Sequence, residues 1–309
     1  MIERLDSKEE VRQAVAEVRH EGKTVGFVPT MGALHAGHLS LVQTARKRTD
    51  FIVVSVFVNP TQFGPGEDFA AYPRDFERDF ELLEAEGVDL VFTPSVEEMY
   101  GPGATGAAGA AATTGSADTL APFTGVTVAP GSLAERWEGE IRPGHFRGVV
   151  TVVAKLLNIV RPNLAFFGEK DYQQLVNVKR MVRDLDLPSS VVGCPIIRDA
   201  DGLALSSRNA YLSPAERSKA LALPRALDAA AEALAWGERS GQALSTVMRE
   251  AAVAEDGVML DYAAVVDPET LEPLEAVTRT ARALIAARVG RTRLIDTAAL
   301  QPPPREEGA

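Results

Sequence analysis

Two histidines stand close together in a pattern that could support phosphate chemistry. His35 and His38 form the string HAGH with the residues between them, and the whole sequence contains only four histidines. Imidazole N–H groups can donate hydrogen bonds to the charge that builds up on a phosphorus centre during displacement. Two other interpretations stay open at this point: a histidine-capped helix without a chemical role, or a metal-binding pair at i and i+3.

The elements around these histidines are typical of an anion site. The apolar run at 25–28 predicts a strand, residues 29–32 predict a tight turn, and apolar residues at helical spacing from Ala36 onward predict a helix. The first amides of a helix lack intrahelical partners and carry partial positive charge, so they can bind an anion. Gly32 and Gly37 have no Cβ and would let a ligand approach the backbone.

The composition limits the class of protein. A length of 309 residues with 46% hydrophobic residues favours two domains with real cores. The net charge of −11 argues against a nucleic-acid partner, and the apolar runs are too short to span a bilayer, so no membrane partner is expected. A single Cys194 excludes an internal disulfide. Because the first residues are charged, we expect a cytoplasmic protein without a signal peptide.

Residues 1–196 predict an α/β domain with a Rossmann-like parallel sheet. The continuous apolar run at 51–58 is typical of a strand buried on both faces, and further strands are expected at 88–92, 163–167 and 190–194. The carboxyl ends of parallel strands meet at one edge of the sheet, where ligands gather. The loops around Met31 and Gln62 are therefore predicted to form one mouth.

The remaining segments have different patterns. Residues 197–300 predict a second, smaller α+β domain with helices at about 213–236 and 243–255, the first interrupted by Pro224, and short antiparallel strands at 260–266, 283–289 and 293–295. The Gly-, Ala- and Thr-rich segment 101–131 predicts an inserted surface loop. The proline-containing segment 301–309 predicts a disordered tail.

Several motifs resemble one known family. The string PTMGALHAGH contains the HxGH signature of nucleotidyltransferases and class I synthetases. In full it is similar to the pantothenate synthetase (pantoate–β-alanine ligase) family. The strings VNPTQFG, YPR, RPGHFRG and GEKDYQQ are also family-like, and the Ser-Ser-Arg triplet at 206–208 resembles the family's counterpart of the synthetase KMSKS loop.

The resemblance implies a fold, a reaction and an assembly. The fold would be a Rossmann-like sheet of the nucleotidyltransferase type, with the second domain as a lid. In the reaction, the carboxylate of pantoate would attack the α-phosphorus of ATP, and β-alanine would then attack the acyl-adenylate and release AMP. Mg²⁺ would accompany ATP, and the relatives' dimers imply a homodimer.

The resemblance also implies roles for individual residues. Gln62 and Gln174 would bind pantoate, Gln62 would also contact β-alanine, and Asp79 would lie near Mg²⁺. His145 is interpreted as structural. The catalytic residues would be His38, His35, Lys170, Ser206, Ser207 and Arg208. ATP would be bound by Met31, Gly32, Ala33, Leu34, His35, Ala36, Gly37, His38, Gly168, Glu169, Lys170, Asp171, Ile197, Leu205, Ser206, Ser207 and Arg208.

Two rival functions are distinguishable by simple observations. Another HxGH nucleotidyltransferase would leave the nucleotide on a stable product and would not depend on β-alanine. A nucleotide-binding module without chemistry should carry a damaged motif, whereas both histidines, Lys170 and the Ser-Ser-Arg triplet are present in this sequence.

Overall fold

The structure is a computed structural model that describes residues 2–102 and 125–303. It divides into two compact units: the first comprises Met1–Gly168 and Gln173–Cys194, and the second comprises Glu169–Tyr172 and Pro195–Ala309. The short segment Glu169–Tyr172 therefore groups with the second unit, which the sequence did not predict. Most of the predicted inserted loop at 101–131 and of the predicted tail at 301–309 lies outside the described residues.

The first unit is built on a six-stranded parallel sheet, which confirms the predicted fold class. The strand order is β1-β4-β3-β2-β5-β6. The strands are β1 (Glu3–Leu5), β2 (Val25–Thr30), β3 (Phe51–Val56), β4 (Leu90–Phe92), β5 (Leu164–Gly168) and β6 (Ser190–Cys194). The helices are α1 (Lys8–His20), α2 (Ala36–Arg46), α3 (Phe76–Ala85), α4 (Val96–Tyr100), α5 (Glu138–Ile141), α6 (His145–Val160) and α7 (Tyr172–Asp184).

The central strands are mostly apolar, as is typical of strands buried on both faces of a parallel sheet. Phe27, Val28, Val53 and Val54 are all 0% exposed. The pairing of β2 with β3 runs from Val25 opposite Phe51 to Thr30 opposite Val56. These two strands therefore end side by side, and the loops that follow them begin at the same edge of the sheet.

Helix α6 packs closely against the loop that follows β3. This loop contains a short 3₁₀ turn, Pro60–Gln62. Gly148 lies on the buried side of α6, where a Cβ would collide with the carbonyl oxygen of Thr61 and come within 2.7 Å of the Cα of Gln62. Glycine is required here because the two backbones approach each other without room for a side chain.

The described part of the second unit contains three helices and a three-stranded antiparallel sheet in the order β7-β8-β9, as the predicted α+β class requires. The elements are α8 (Pro214–Ala220), α9 (Ala222–Ala235), α10 (Gly241–Val253), β7 (Val258–Val266), β8 (Ala281–Val289) and β9 (Thr292–Leu300). The predicted interruption of the first helix occurs at Leu221, so that Pro224 falls in the first turn of α9, where its missing N–H needs no partner. Strand β9 is longer than the prediction for 293–295.

No helix in residues 2–102 and 125–303 is both long enough and apolar enough to cross a membrane.

The close approach at Gly148 leads to a stability prediction. We expect Gly148→Ala to lower the free energy of unfolding by about 1–3 kcal/mol, because the added methyl group must push α6 away from the 3₁₀ turn. Urea denaturation would measure this change. Gly168→Ala is the matched control, since a Cβ at that glycine meets no atom within 4 Å; equal stability of the two variants would contradict the packing argument.

Candidate active site

The two histidines cap the helix that they begin. His35 is the N-cap of α2, and its Nδ1 accepts a hydrogen bond from the amide of Gly37 at 3.1 Å. In return, the amide of His35 donates to Nδ1 of His38 at 3.4 Å. The two rings lie with their centroids 4.1 Å apart and their planes tilted by 39°. The histidines thus form a reciprocal capping box at the helix start.

This capping determines which nitrogen of each ring carries a proton. Because Nδ1 accepts an amide hydrogen in both rings, a neutral imidazole must carry its proton on Nε2. Both histidines therefore present Nε2–H as a hydrogen-bond donor. The helix-capping interpretation and the chemical interpretation of the sequence are compatible, since the cap uses one nitrogen and leaves the donor role to the other.

Asp79 holds the loop that precedes His35. Its Oδ2 accepts the amide hydrogen of Ala33 at 2.8 Å, and its Oδ1 accepts that of Leu34 at 2.7 Å. Asp79 lies on α3 and is 2% exposed. Gly32 (φ +82°) and Ala33 (φ +51°) take left-handed conformations, and a Cβ on Gly32 would come within 2.8 Å of the Asp79 Oδ2. Burial raises the pKa of Asp79, although the two amides oppose this shift.

The magnesium role of Asp79 stays a prediction, since each carboxylate oxygen keeps a second lone pair. Both carboxylate oxygens already accept backbone hydrogens, and within the described part of the chain no three His, Cys, Asp or Glu side chains cluster as metal ligands. The amides of Ala33, Leu34 and Gly37, which were predicted to contact ATP, are likewise paired with protein acceptors. The imidazole N–H groups of His35 and His38 are hydrogen-bond donors of the kind that phosphate oxygens accept.

Gln62 lies beside Met31, so the loops after β2 and β3 are adjacent as expected. Its Nε2 is 3.1 Å from the Met31 sulfur, and its Oε1 accepts a hydrogen bond from Asn59 Nδ2 at 3.0 Å. Gln62 is 9% exposed. A thioether is a weak acceptor, so the Nε2 hydrogens have no strong partner at this contact and suit the oxygen atoms of a substrate.

Asn59 fixes the orientation of the Gln62 amide. Its Oδ1 accepts hydrogen bonds from the Tyr100 hydroxyl at 2.6 Å and from the amide of Thr61 at 3.3 Å, so its Nδ2 must face Gln62 and the carbonyl of Gly148. Burial raises the pKa of Tyr100 to about 12, which keeps its hydroxyl protonated as a donor. Asn59 itself is 1% exposed.

His145 contacts the backbone of Gln62. Its Nδ1 lies 2.8 Å from the Gln62 carbonyl oxygen, and its Nε2 lies 3.1 Å from Nη1 of Arg142. Because the carbonyl only accepts and the guanidinium only donates, the ring must be neutral with its proton on Nδ1. Burial, together with the charge of Arg142, lowers the pKa of His145 to about 4.

Glu67 balances the charge of Arg142 through two hydrogen bonds. Its oxygens accept from Nε at 2.8 Å and from Nη2 at 2.7 Å. Burial on its own would raise the pKa of Glu67, but the hydrogen bonds and charge of Arg142 lower it below the usual value. Glu67, Arg142 and His145 thus form a chain of hydrogen bonds that ends on the Gln62 carbonyl.

The predicted ATP-binding residues Gly168–Asp171 follow β5. Gly168 ends the strand, and Glu169, Lys170 and Asp171 form a short 3₁₀ turn. Within the second unit, Arg282 of β8 donates to Glu169 Oε2 at 3.0 Å, and its guanidinium lies 4.1 Å above the Tyr172 ring. The Arg282 side chain is 7% exposed, so a buried cation holds the turn that carries Lys170.

The second glutamine predicted to bind pantoate lies next to a structural one. Gln173 is 4% exposed, and its Nε2 donates to the carbonyls of Leu133 and Arg136 at 2.7 and 2.9 Å. Gln174 is only partly buried. These observations are compatible with the prediction, which gave the binding role to Gln174 and not to Gln173.

The Ser-Ser-Arg triplet follows a hairpin in the second unit. Leu205 donates its amide hydrogen to the Ile197 carbonyl at 3.0 Å, which brings these two predicted ATP-binding residues together. Arg198 attaches the hairpin to β9 through two hydrogen bonds to Asp296, at 2.6 and 3.0 Å. Ser206 then caps the 3₁₀ turn Ser207–Tyr211, and its Oγ accepts the amide hydrogen of Arg208 at 3.3 Å.

Comparison with known proteins shows the family of this chain. The family model described as pantoate-beta-alanine ligase matches residues 3–299. The chain belongs to the pantoate-beta-alanine ligase family. The pantothenate synthetase of Rubrobacter xylanophilus is 56% identical over 297 residues, which are 96% of this chain and 98% of the relative. The resemblance that the motifs indicated is therefore confirmed, and the chain is a ligase.

Solved structures of the family agree in fold. The crystal structure of pantothenate synthetase from Thermus thermophilus matches with a TM-score of 0.86 and 48% identity, over 97% of this chain and 100% of that one. The pantoate-beta-alanine ligase from Francisella tularensis, complexed with beta-gamma ATP and beta-alanine, matches with a TM-score of 0.73 and 31% identity, over 96% of this chain and 97% of that one.

Several residues that position the predicted site residues of this ligase were not predicted from the sequence. Asp79 and Arg282 support predicted site loops, and Asn59 orients Gln62, yet none of the three was predicted to do so. Arg142 and His145 stood in the family-like block RPGHFRG, which was the available signal for the chain of hydrogen bonds to Gln62. The charge of Arg282 at the start of an apolar run was a similar signal, since a buried arginine needs a partner.

The neutral, enclosed His145 leads to a prediction about stability and pH. Between pH 6.5 and about 4 the unfolded chain binds a proton at this residue that the folded chain excludes. The free energy of unfolding should therefore fall as the pH falls through this window, with His145 contributing about 3 kcal/mol of the total decrease. Urea denaturation at several pH values would measure it. In the control variant His145→Asn this contribution should be absent, and parallel curves for the two proteins would contradict the assignment.

Proposed function

We propose that this chain condenses pantoate with β-alanine at the expense of ATP, through a pantoyl-adenylate. The family membership supports this proposal, and so does the Francisella relative, which was crystallised with beta-gamma ATP and beta-alanine. The single observation that supports the chemistry best is the pair of Nε2–H donors at the start of α2. A homodimer and a cytoplasmic location remain predictions from the sequence.

In the first step, a carboxylate oxygen of pantoate forms a bond to the α-phosphorus of ATP, and the bond from this phosphorus to pyrophosphate breaks. Negative charge develops on the oxygens around the phosphorus in the transition state. We assign His35 and His38 to donate hydrogen bonds to this charge from Nε2, with His38 as the proton donor. Donors whose orientation is fixed before the reaction stabilise such charge without a cost of reorganisation.

Gln62 and Gln174 are assigned to pantoate. A neutral amide can hold the hydroxyl and carboxylate oxygens without the strong ion pair that an arginine would form, so the carboxylate stays nucleophilic. The orientation of Gln62, with Oε1 bound by Asn59, directs its Nε2 hydrogens to this task. Glu67 binds the guanidinium of Arg142, so we do not assign Arg142 to an ion pair with the pantoate carboxylate.

The residues of the second unit are assigned to the leaving group. Lys170 supplies a compact cation, and Ser206, Ser207 and Arg208 supply two hydroxyls and a planar guanidinium for the phosphates. Gly168, Glu169, Asp171, Ile197 and Leu205 are assigned to ATP as well, as backbone and loop contacts. Mg²⁺ as a companion of ATP remains a prediction, and no step above depends on it.

In the second step, the amine of β-alanine attacks the carboxyl carbon of the adenylate. The bond between this carbon and the phosphate oxygen breaks, AMP leaves, and the amine loses a proton. The protein forms no covalent bond to the substrates in this scheme. Its contribution is to position the reactants and to shield the adenylate from water.

The fate of the carboxylate oxygen tests this function. We expect pantoate labelled with ¹⁸O in its carboxylate to transfer one labelled oxygen to AMP, since the bond that breaks in the second step lies on the carbon side. Mass spectrometry of AMP would measure the label, and AMP should require both pantoate and β-alanine. A stable adenylylated product that forms whether or not β-alanine is present would favour the rival nucleotidyltransferase.

Removing one imidazole tests the assignment of the histidines. We expect His38→Ala to reduce kcat on the order of a hundredfold, because the variant loses a donor to the charge developing on phosphorus. Initial rates of AMP formation would measure this loss. His20→Ala, at the exposed end of α1, is the matched control and should keep full activity. If His38→Ala turns over near the normal rate, His38 does not contact the reacting phosphate.

A further inference from the structure

The backbone carbonyl of Gln62 has its hydrogen-bond partner on a helix that is distant in the sequence. Gln62 is the last residue of the 3₁₀ turn Pro60–Gln62, where carbonyl groups lack partners within the turn. Its oxygen instead accepts the Nδ1–H of His145 at 2.8 Å. His145 is the first residue of α6, and the same helix brings Gly148 against Thr61. The backbone of Gln62 is therefore held by a helix that lies far from it in sequence.

The side chain of Gln62 is held independently of its backbone. Asn59 Nδ2 donates to Oε1 at 3.0 Å, so the rotation of the amide is fixed from within the loop itself. That hydrogen bond does not determine where the Cα of Gln62 stands relative to the mouth of the site. The contact from His145 does, because it fixes the carbonyl at the point where the chain leaves the turn.

The orientation of His145 is in turn determined by Arg142. The guanidinium donates to Nε2 at 3.1 Å, which fixes the tautomer that carries a proton on Nδ1. Glu67 holds the guanidinium with two hydrogen bonds, at 2.8 and 2.7 Å. This chain of hydrogen bonds reaches the residues assigned to substrates through the Gln62 backbone.

We propose that His145 is a positioning residue for pantoate recognition: by donating Nδ1–H to the Gln62 carbonyl, it sets the position from which the Gln62 amide reaches pantoate. The proposal rests on the role assigned to Gln62. It gives the two nitrogens of His145 different roles. Nδ1 donates to Gln62, the glutamine assigned to pantoate, whereas Nε2 accepts from Arg142 and only orients the ring. A histidine that merely fills space would make no such distinction.

Two conservative variants test this separation. In His145→Asn the side-chain N–H₂ can occupy the position of Nδ1 and keep the donor to Gln62. In His145→Gln the amide reaches the position of Nε2 and keeps a contact to Arg142, while the donor to Gln62 is lost. We expect KM for pantoate to stay within about threefold of normal in His145→Asn and to rise about tenfold in His145→Gln, as for the loss of one hydrogen bond. KM for ATP should stay unchanged in both.

The measurement is the initial rate of AMP formation with pantoate varied at saturating ATP and β-alanine, and then with ATP varied. Thermal unfolding of each variant shows whether it is folded, and His145→Ala, which loses both contacts, should resemble His145→Gln in its KM for pantoate. Equal KM values for pantoate in the Asn and Gln variants would overturn the proposal. So would a rise in KM for ATP that matches the rise for pantoate.

Gln62→Ala separates failure of this proposal from failure of the role assigned to Gln62. If Gln62→Ala leaves KM for pantoate unchanged, Gln62 does not bind pantoate and the proposal fails with that assignment. If Gln62→Ala raises KM for pantoate but His145→Gln does not, only the positioning role of His145 is wrong. In the double variant Gln62→Ala/His145→Gln, KM for pantoate should be no higher than in Gln62→Ala alone, because the side chain that His145 positions is already absent.

Discussion

The positions of His35 and His38 depend on backbone amides that need acceptors. The loop between β2 and α2 turns through two left-handed residues, Gly32 and Ala33, and therefore forms neither a strand ladder nor a helix. Buried amides without acceptors are costly. Asp79 accepts from this loop, and the imidazoles of the two histidines accept from the helix start. The same contacts that stabilise the loop also fix the tautomers of the histidines.

A second constraint of this kind surrounds Gln62. Its side-chain amide accepts a hydrogen bond from Asn59, and its backbone carbonyl accepts one from His145. Tyr100 orients Asn59, and Arg142 orients His145. Burial raises the pKa of the Tyr100 hydroxyl further above neutral pH, and His145 stays neutral because burial lowers its pKa. Charge on Arg142 is balanced by Glu67. The protein therefore presents a neutral amide, and not a cation, to the proposed carboxylate substrate.

The elements next to the site were predictable because their patterns are local. Apolar runs gave β2 and β3, and helical spacing gave α2. Strand β1 was missed, since its three residues, Glu3–Leu5, are too short and too polar to show a pattern. The length of β9 was underestimated because polar residues interrupt it, although Arg293 pairs with Asp261 and Asp296 pairs with Arg198 in the folded chain.

The supporting contacts of the site could not be predicted in the same way. Asp79 binds amides that lie 45 and 46 residues earlier in the chain, and a backbone amide leaves no signal in a sequence. Arg282 and Glu169 are 113 residues apart. The family-like motifs identified the residues that were assigned to substrates, whereas the residues that hold them are determined by tertiary contacts.

The grouping of Glu169–Tyr172 with the second unit has a consequence for how the chain can be divided. A fragment that begins at Pro195 would contain β7, β8 and β9 but would lack the carboxylate and the aromatic ring that cover Arg282. The guanidinium would then be exposed or left without its counter-charge, and either state weakens the fragment. Each unit is thus assembled from two separate stretches of sequence, so no single cut divides the chain into two complete pieces.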